Sequence, residues 1–387
     1  MSTFYETLGV DPSAKPAALR NAFRKLAREN HPDVSDDPEA HERMARINAA
    51  FETLIDPDKR EEYDAQLRGT DEGSVDAQPD RRSYEEPNKV SIKLIQKLRE
   101  HRTPVYALSF APDTGHMVSS SFDNEVIWWD PETFQPIRKM KLEGGVVSTV
   151  QALEDDRLVA AGSSESVVSV WMLEGDSINS WRNSPLEWVS CVGVSTDGRS
   201  VAMGSVYHTL QVCRVKSGDA VFAGTSHSQS VTSVAWSPDN RFIATGSADA
   251  TVKIWSGVTG KELSTLKAVR STVSSLVFSP DSRYLAVAAV DLSIRIFDLQ
   301  EMVLVKTFFG QEKPVEQMVF HPDGSLLASA SRDGSIGLWN VLQGQNHVKI
   351  NASSQPLSAV AFSPDGSRLA AAGLDRMLRV WDLKFSS

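Results

Sequence analysis

Two rhythms of apolar and polar positions divide this chain. In the first part, residues 16–30 (PAALRNAFRKLAREN) place Leu19, Phe23 and Leu26 at i, i+4 and i+7. That spacing predicts one stripe of an amphipathic helix. The opposite side carries Arg20, Arg24 and Arg28, with Lys25 beside them. Pro16 suits the first helical turn, and Pro32 ends the helix by biasing His31 away from helical angles. A second helix opens with Asp37 as N-cap and Pro38 behind it, and aligns Met44, Ile47, Phe51 and Leu54. Pro57 opens a third, short and charged. Two facing stripes joined by an exposed turn make an antiparallel helical hairpin, with His31-Pro32-Asp33 in the turn.

The second rhythm is β. Residues 69–88 (GTDEGSVDAQPDRRSYEEPN) lack apolar periodicity and read as an acidic flexible linker. Beyond it, short β-branched runs alternate with turn residues. Trp129, Trp171, Cys213, Trp255, Phe297, Trp339 and Trp381 follow one another at steps of 42 residues. The same step links Asp113, Asp155, Asp197, Asp239, Asp281, Asp323 and Asp365. Another column is acidic except at Tyr207: Asp123, Glu165, Tyr207, Asp249, Asp291, Asp333 and Asp375. A period of this size predicts blades of four strands, and the columns count seven blades.

The organisation expected is therefore multidomain: a small all-α domain over 1–68, the linker over 69–88, and an all-β seven-bladed propeller over 89–387. The last repeat stops after Trp381-Asp382-Leu383 without a fourth strand. The run VSIKL, with Val90, Ile92 and Leu94 alternating against Ser91 and Lys93, is the spare strand that can close the ring and hide a sheet edge.

Composition narrows the function. A net charge of −10 argues against a protein built to bind nucleic acid. Only two cysteines, Cys191 and Cys213, are present, too few for a disulfide framework or a cysteine-rich zinc site. The opening MSTFYETLGV does not read as a secretory signal, and no run of about 18 apolar residues exists to span a membrane. The expected location is cytoplasmic, with no membrane partner. No nucleophile elbow, metal cluster or phosphate loop is evident, so neither catalysis, nor a metal, nor a cofactor is expected.

FYETLGV, the basic helix ending in HPD, and RINAAFETLIDPDKREEYD resemble, in order, the J domain of DnaJ-type co-chaperones over about residues 3–69. The resemblance implies docking on a DnaK-type heat-shock chaperone through His31, Pro32 and Asp33 and the basic face Arg20, Arg24, Lys25 and Arg28. It also implies stimulation of the chaperone's ATPase, with ATP bound by the partner. Two departures stand out: Asn21 thins the basic face, and Lys15 occupies a position often filled by a Ser or Thr cap.

Residues 89–383 resemble the WD-repeat family. On that resemblance the aromatic column ends the third strand of each blade and packs between blades. The second copy of the tripeptide, His321-Pro322-Asp323, falls in the turn slot of Ser237-Pro238-Asp239, Ser279-Pro280-Asp281 and Ser363-Pro364-Asp365, so no co-chaperone role is expected for it. His101 and His227 are each expected to join a network with a turn aspartate (Asp123, Asp249), a hydroxyl (Ser119, Thr245) and a tryptophan (Trp129, Trp255), which the other blades should lack. Matching columns put Tyr106, Phe122, Trp188, Val206, Val290 and Leu374 near the rim through which such propellers bind proteins; the alternative is that several pack sideways into neighbouring blades. The leading expectation is a co-chaperone whose propeller holds client or partner proteins. The rival is a scaffold that recruits the chaperone to its own assembly.

Overall fold

A computed structural model describes residues 4–11, 14, 19, 22, 26, 50, 51, 54, 60 and 90–385, apart from 144–145, 165–166, 184–187, 268 and 342–344. The chain divides into two compact units, Met1–Tyr84 and Glu85–Ser387.

In the first unit, α1 (Phe4–Leu8) buries Tyr5 and Leu8. They cluster with Leu19, Ala50 and Leu54, and Leu26 and Phe51 pack against that cluster. Members of both predicted stripes therefore meet in one core. Arg60 Nε donates to the Tyr5 hydroxyl (3.0 Å), and its guanidinium lies 5.5 Å from that ring's centre.

The second unit is a seven-bladed propeller built from seven four-stranded antiparallel sheets. The chain enters through β1 (Val90–Leu98). Blade 1 is β2–β5 (Val105–Phe110, Met117–Ser121, Glu125–Trp129, Pro136–Lys141), and blade 2 is β6–β9 (Thr149–Ala152, Leu158–Ser164, Val167–Glu174, Ser177–Asn183). Blade 3 is β10–β13 (Val189–Val194, Ser200–Ser205, Thr209–Arg214, Ala220–Thr225), and blade 4 is β14–β17 (Val231–Trp236, Phe242–Ser247, Val252–Ser256, Glu262–Leu266). Blade 5 is β18–β21 (Val273–Phe278, Tyr284–Ala289, Ile294–Asp298, Val303–Phe308). Blade 6 is β22–β25 (Val315–Phe320, Leu326–Ser331, Ser335–Asn340, Gln345–Asn351). Blade 7 takes β26–β28 (Leu357–Phe362, Arg368–Gly373, Leu378–Phe385) from the end of the chain and β1 as its fourth strand.

The closing strand pairs as its alternation predicts at first, with Val90 opposite Phe385 and Ile92 opposite Leu383. A bulge after Leu94 then shifts the register. Leu94, expected to point inward, is 40% exposed, and Ile95 and Leu98 pack on the core instead. An extra residue in one strand reverses which side chains face inward beyond it.

The core lies between blades. The whole aromatic column, Cys213 included, is buried. One cluster joins Leu108, Ile127 and Trp129 of blade 1 to Ala361, Leu378 and Val380 of blade 7, so packing is continuous across the seam. Blades sit close because the second strands carry a small residue at one slot: Ser120, Gly162, Gly204, Gly246, Ala288, Ala330 and Ala372. A Cβ on Gly246 would stand 2.3 Å from Val273 Cγ1 of the next blade. The first strands bulge at residues such as Ser190, Thr232 and Ser358. Their hydroxyls donate to the next blade's Val231, Val273 and Val105 carbonyls, so the seam repeats the bond of ordinary joints. Blade 2 departs from this frame: its first strand shows no such bulge, and its first turn passes through Asp155 and Asp156 at φ +59° and +51°.

Candidate protein-binding rim of the propeller

At one end of every blade the second strand turns into the third, beside the segment that opens the first strand. A backbone bond ties these two segments together. Phe122 N donates to the Pro104 carbonyl (3.1 Å), Val206 N to Trp188 (2.8 Å), Val290 N to Thr272 (2.9 Å) and Leu374 N to Pro356 (3.0 Å).

The aspartate that follows stiffens the turn. Asp249 accepts from Thr251 N (2.9 Å), Thr251 Oγ1 (2.6 Å) and Ser228 N (2.9 Å). Burial alone would raise its carboxyl, but those hydrogen bonds and His227 bring it down to about 2. Asp291, Asp333 and Asp375 are likewise held below the ordinary range against the opposing effect of burial.

Blades 1, 4, 5 and 7 match that negative charge in different ways. In blade 4, His227 Nδ1 lies 3.1 Å from Asp249 Oδ2, and His227 Nε2 lies 2.8 Å from Thr245 Oγ1. Trp255 Nε1 donates to the same hydroxyl (2.9 Å). An ionised carboxylate only accepts, so Nδ1 carries the proton and neutral Nε2 accepts from Thr245. Burial keeps the imidazole below its usual proton affinity, outweighing the pull of Asp249. Blade 1 repeats the arrangement more loosely. His101 Nε2 lies 2.8 Å from Ser119 Oγ, to which Trp129 Nε1 donates, while Nδ1 stands 3.6 Å from Asp123.

Blade 6 keeps the hydroxyl and tryptophan part of the network without a histidine, and its Gln311 amide donates to the Ser329 carbonyl rather than to the turn aspartate. There Gln311 Oε1 accepts from Ser329 Oγ (3.0 Å), which in turn accepts from Trp339 Nε1 (2.8 Å). An amide oxygen supplies the same acceptor as a neutral imidazole. In blades 5 and 7 a third-strand arginine takes the charge instead: Arg295 lies 2.7 Å from Asp291, and Arg379 lies 2.5 Å from Asp375.

Phe122, Val206, Val290 and Leu374 of the six rim residues singled out from the sequence sit on these turns, while Trp188 and Tyr106 lie where first strands begin. All are exposed: Trp188 57%, Phe122 54%, Val290 46%, Leu374 40%, Val206 39% and Tyr106 36%. They are not packed away into neighbouring blades. Phe122 and Tyr106 pair with ring centres 6.2 Å apart. Sequence reading missed Tyr207, 60% exposed beside Val206. Its signal was available, since Tyr207 is the one break in the acidic turn column.

His321 is more than an inert replacement for serine. Serine hydroxyls in the equivalent turns donate to the turn aspartate, as Ser237 does to Asp239 (2.6 Å). His321 Nδ1 faces Asp323 in the same way at 2.7 Å, while its other edge lies 3.2 Å from the Gly366 carbonyl and its ring meets Phe362 edge-on. A Cβ on Gly366, at φ +73°, would stand 2.1 Å from His321 Nε2. In the second HPD the histidine is a buried joint between blades 6 and 7, while Pro322 and Asp323 are exposed.

The first HPD, His31-Pro32-Asp33, lies outside the described residues, as do Arg20, Arg24, Lys25 and Arg28. Among the described residues no group of three or more His, Cys, Asp or Glu could hold a metal ion, and no helix is long and apolar enough to cross a membrane.

Comparison with known proteins places both halves. Residues 3–64 match the DnaJ domain model, residues 92–130 the WD domain, G-beta repeat, and residues 203–386 the IFT122 first beta-propeller. None of these describes an enzyme. Curated relatives include the "Chaperone protein DnaJ" of Carboxydothermus hydrogenoformans, 53% identical over 62 residues, and that of Mycoplasma capricolum, 48% identical over 61. "Chaperone protein DnaJ 2" of Streptomyces coelicolor is 51% identical over 61 residues. Each match covers 16% of this chain and 16% of the relative, so the likeness is confined to one domain. The chain joins a DnaJ domain to a seven-bladed WD-repeat propeller.

Proposed function

We propose that this protein is a J-domain co-chaperone. Its helical domain docks on a DnaK-type heat-shock chaperone and stimulates ATP hydrolysis there, and its propeller rim holds the protein on which the chaperone acts. The observation that carries the reading is the ordered DnaJ match over residues 3–64, HPD included, on the same chain as a propeller with an exposed apolar rim. An arginine face suits electrostatic docking on an acidic partner surface, and the Asp33 carboxylate suits a charge-assisted hydrogen bond. The propeller contributes specificity: rigid turns present aromatic side chains with little ordering cost on binding.

Single-turnover ATP hydrolysis by a DnaK-type chaperone tests this. His31→Gln is expected to abolish stimulation while leaving the thermal melt unchanged. His321→Ser restores the residue found in sibling turns and should stimulate as wild type. Equal loss in both variants, or no stimulation by wild type, refutes the assignment.

A further inference from the structure

At the end of the propeller away from the rim, a column of arginines runs through blades 2–5 at the 42-residue step: Arg157, Arg199, Arg241 and Arg283. Two are neutralised within their own blade. Arg241 Nε lies 2.6 Å from Asp239, and Arg283 lies 2.8 Å from Asp298. The other two are held less closely: no carboxylate pairs with Arg157 among the described residues, and the pair made by Arg199 is long and exposed. Arg157 Nε donates to the Glu154 carbonyl (3.2 Å), and Arg199, 85% exposed, stands 3.8 Å from Asp197.

The difference traces to one slot on the third strand. In blade 5, Asp298 pairs with Tyr284 in the ladder beside Arg283. The same register in blade 3 pairs Arg214 with Ser200, beside Arg199. Where blade 5 supplies a carboxylate to its arginine, blade 3 supplies a second arginine, and Lys216 follows. Neither Arg214 nor Lys216 forms an ion pair among the described residues.

Arg157, Arg199, Arg214 and Lys216 line a groove of about 740 Å³ between blades 2 and 3. Only Glu174 and Asp197 bring negative charge to it, and Leu153 and Met172 give it an apolar wall. On a chain of net charge −10, this groove is locally positive. Guanidinium forks match carboxylates in pairs, and a partner's carboxylate can restore the charge balance that blade 5 achieves internally. We infer that the groove binds an acidic peptide segment of a partner protein, its carboxylates occupying against Arg199 and Arg214 the role Asp298 plays against Arg283, and an apolar side chain resting on Leu153 and Met172. The rim at the opposite end stays free, so two proteins can be held at once.

Fluorescence anisotropy with the full-length protein tests the inference. The probe is a fluorescein-labelled peptide with glutamate pairs flanking a Leu-Phe pair. Binding is expected to weaken as salt rises. Arg214→Asp rebuilds the blade 5 pairing inside blade 3 and should lower affinity about tenfold or more with the melt unchanged or raised. Arg214→Gln, which removes charge without adding any, should fall between. Leu153→Ser should weaken binding without altering its salt dependence. Equal affinity for a glutamine-for-glutamate version of the peptide, or unchanged affinity in Arg214→Asp, overturns the proposal. Tighter binding of a single-stranded oligonucleotide that displaces the peptide overturns it too, and assigns the groove to nucleic acid.

Discussion

Leu94 stands opposite Trp381: a residue that precedes every repeat is paired with the last member of the aromatic column. The pair makes β1 part of blade 7, and Val90 and Ile92 pack on the same cluster as Leu369 and Trp381. A chain shortened to begin at His101 loses this strand and exposes β28 as an open edge. It is expected to melt lower by about 5 °C or more, roughly a 2 kcal/mol loss at this size, and to self-associate. A chain beginning at Pro87 should melt as the full propeller does. Scanning calorimetry and light scattering on the two compare them directly; identical melts would mean that β1 contributes nothing to closure.

The histidine networks set a pH dependence. His101 and His227 have proton affinities below that of free histidine, 6.5, because they are buried. Protons therefore favour the unfolded chain once the pH falls below about 6.5, and stability declines from there. Asp249 acts lower down: its carboxyl is depressed from 3.8 to about 2, so its contribution persists above pH 4 and is lost towards pH 2. Blade 6 shows that Gln serves in the histidine slot. His101→Gln with His227→Gln should flatten the decline between pH 7 and 5 while leaving the melt at pH 7.5 within a few degrees. An unchanged slope in the double variant would remove these histidines as its source.

Gly162 stands against the segment that opens its own blade's first strand, and Gly246 stands where the next blade begins. A Cβ on Gly162 would lie 1.8 Å from the Val146 carbonyl oxygen, a backbone atom, whereas one on Gly246 meets the side chain of Val273. Gly246→Ala is expected to cost about 1–3 kcal/mol by overpacking, and Gly162→Ala more, because a backbone yields less than a side chain. Urea midpoints order the two; a neutral Gly162→Ala would show that blade 2 has slack there.

The rim gives a prediction of the opposite kind. Trp188→Ser and Phe122→Ser remove exposed side chains and should leave stability within about 0.5 kcal/mol. If the rim holds a partner, each should cost about 2 kcal/mol or more in binding, the range of a buried aromatic anchor. Proteins recovered on immobilised wild type but not on Trp188→Ser would identify that partner, and equal recovery on both would move the binding surface elsewhere.

Much of this architecture was legible from one dimension because the blade repeats. A fixed step of 42 turns Trp129, Trp255 and Trp339 into one structural position, and the same step exposed His321 as a turn residue. The hydroxyl and tryptophan of the networks were readable for the same reason. Gln311 was passed over because the column was read by residue name, whereas the hydrogen bond needs only an acceptor at that height. The bulge after Leu94 left no mark in the alternation of VSIKL. The Arg199–Arg214 juxtaposition spans two strands, and neither position is unusual alone. Only the comparison of both with Arg283 and Asp298 shows the reversal.

The closing strand also ties folding to the direction of synthesis. β1 leaves the ribosome before any blade exists, and its partner β28 is the last of the propeller's strands to be made. At about 5–20 residues per second the interval is on the order of 15–60 s. Throughout that time β1 is an unpaired strand with apolar side chains, and β2 lacks the neighbour that will cover it. Its contacts are among the most distant in the chain, the kind that form late. A ring fastened this way is completed only when β28 arrives, and cannot be assembled blade by blade to full stability. The nascent protein passes through an open, edge-exposed stage of the sort on which chaperones act.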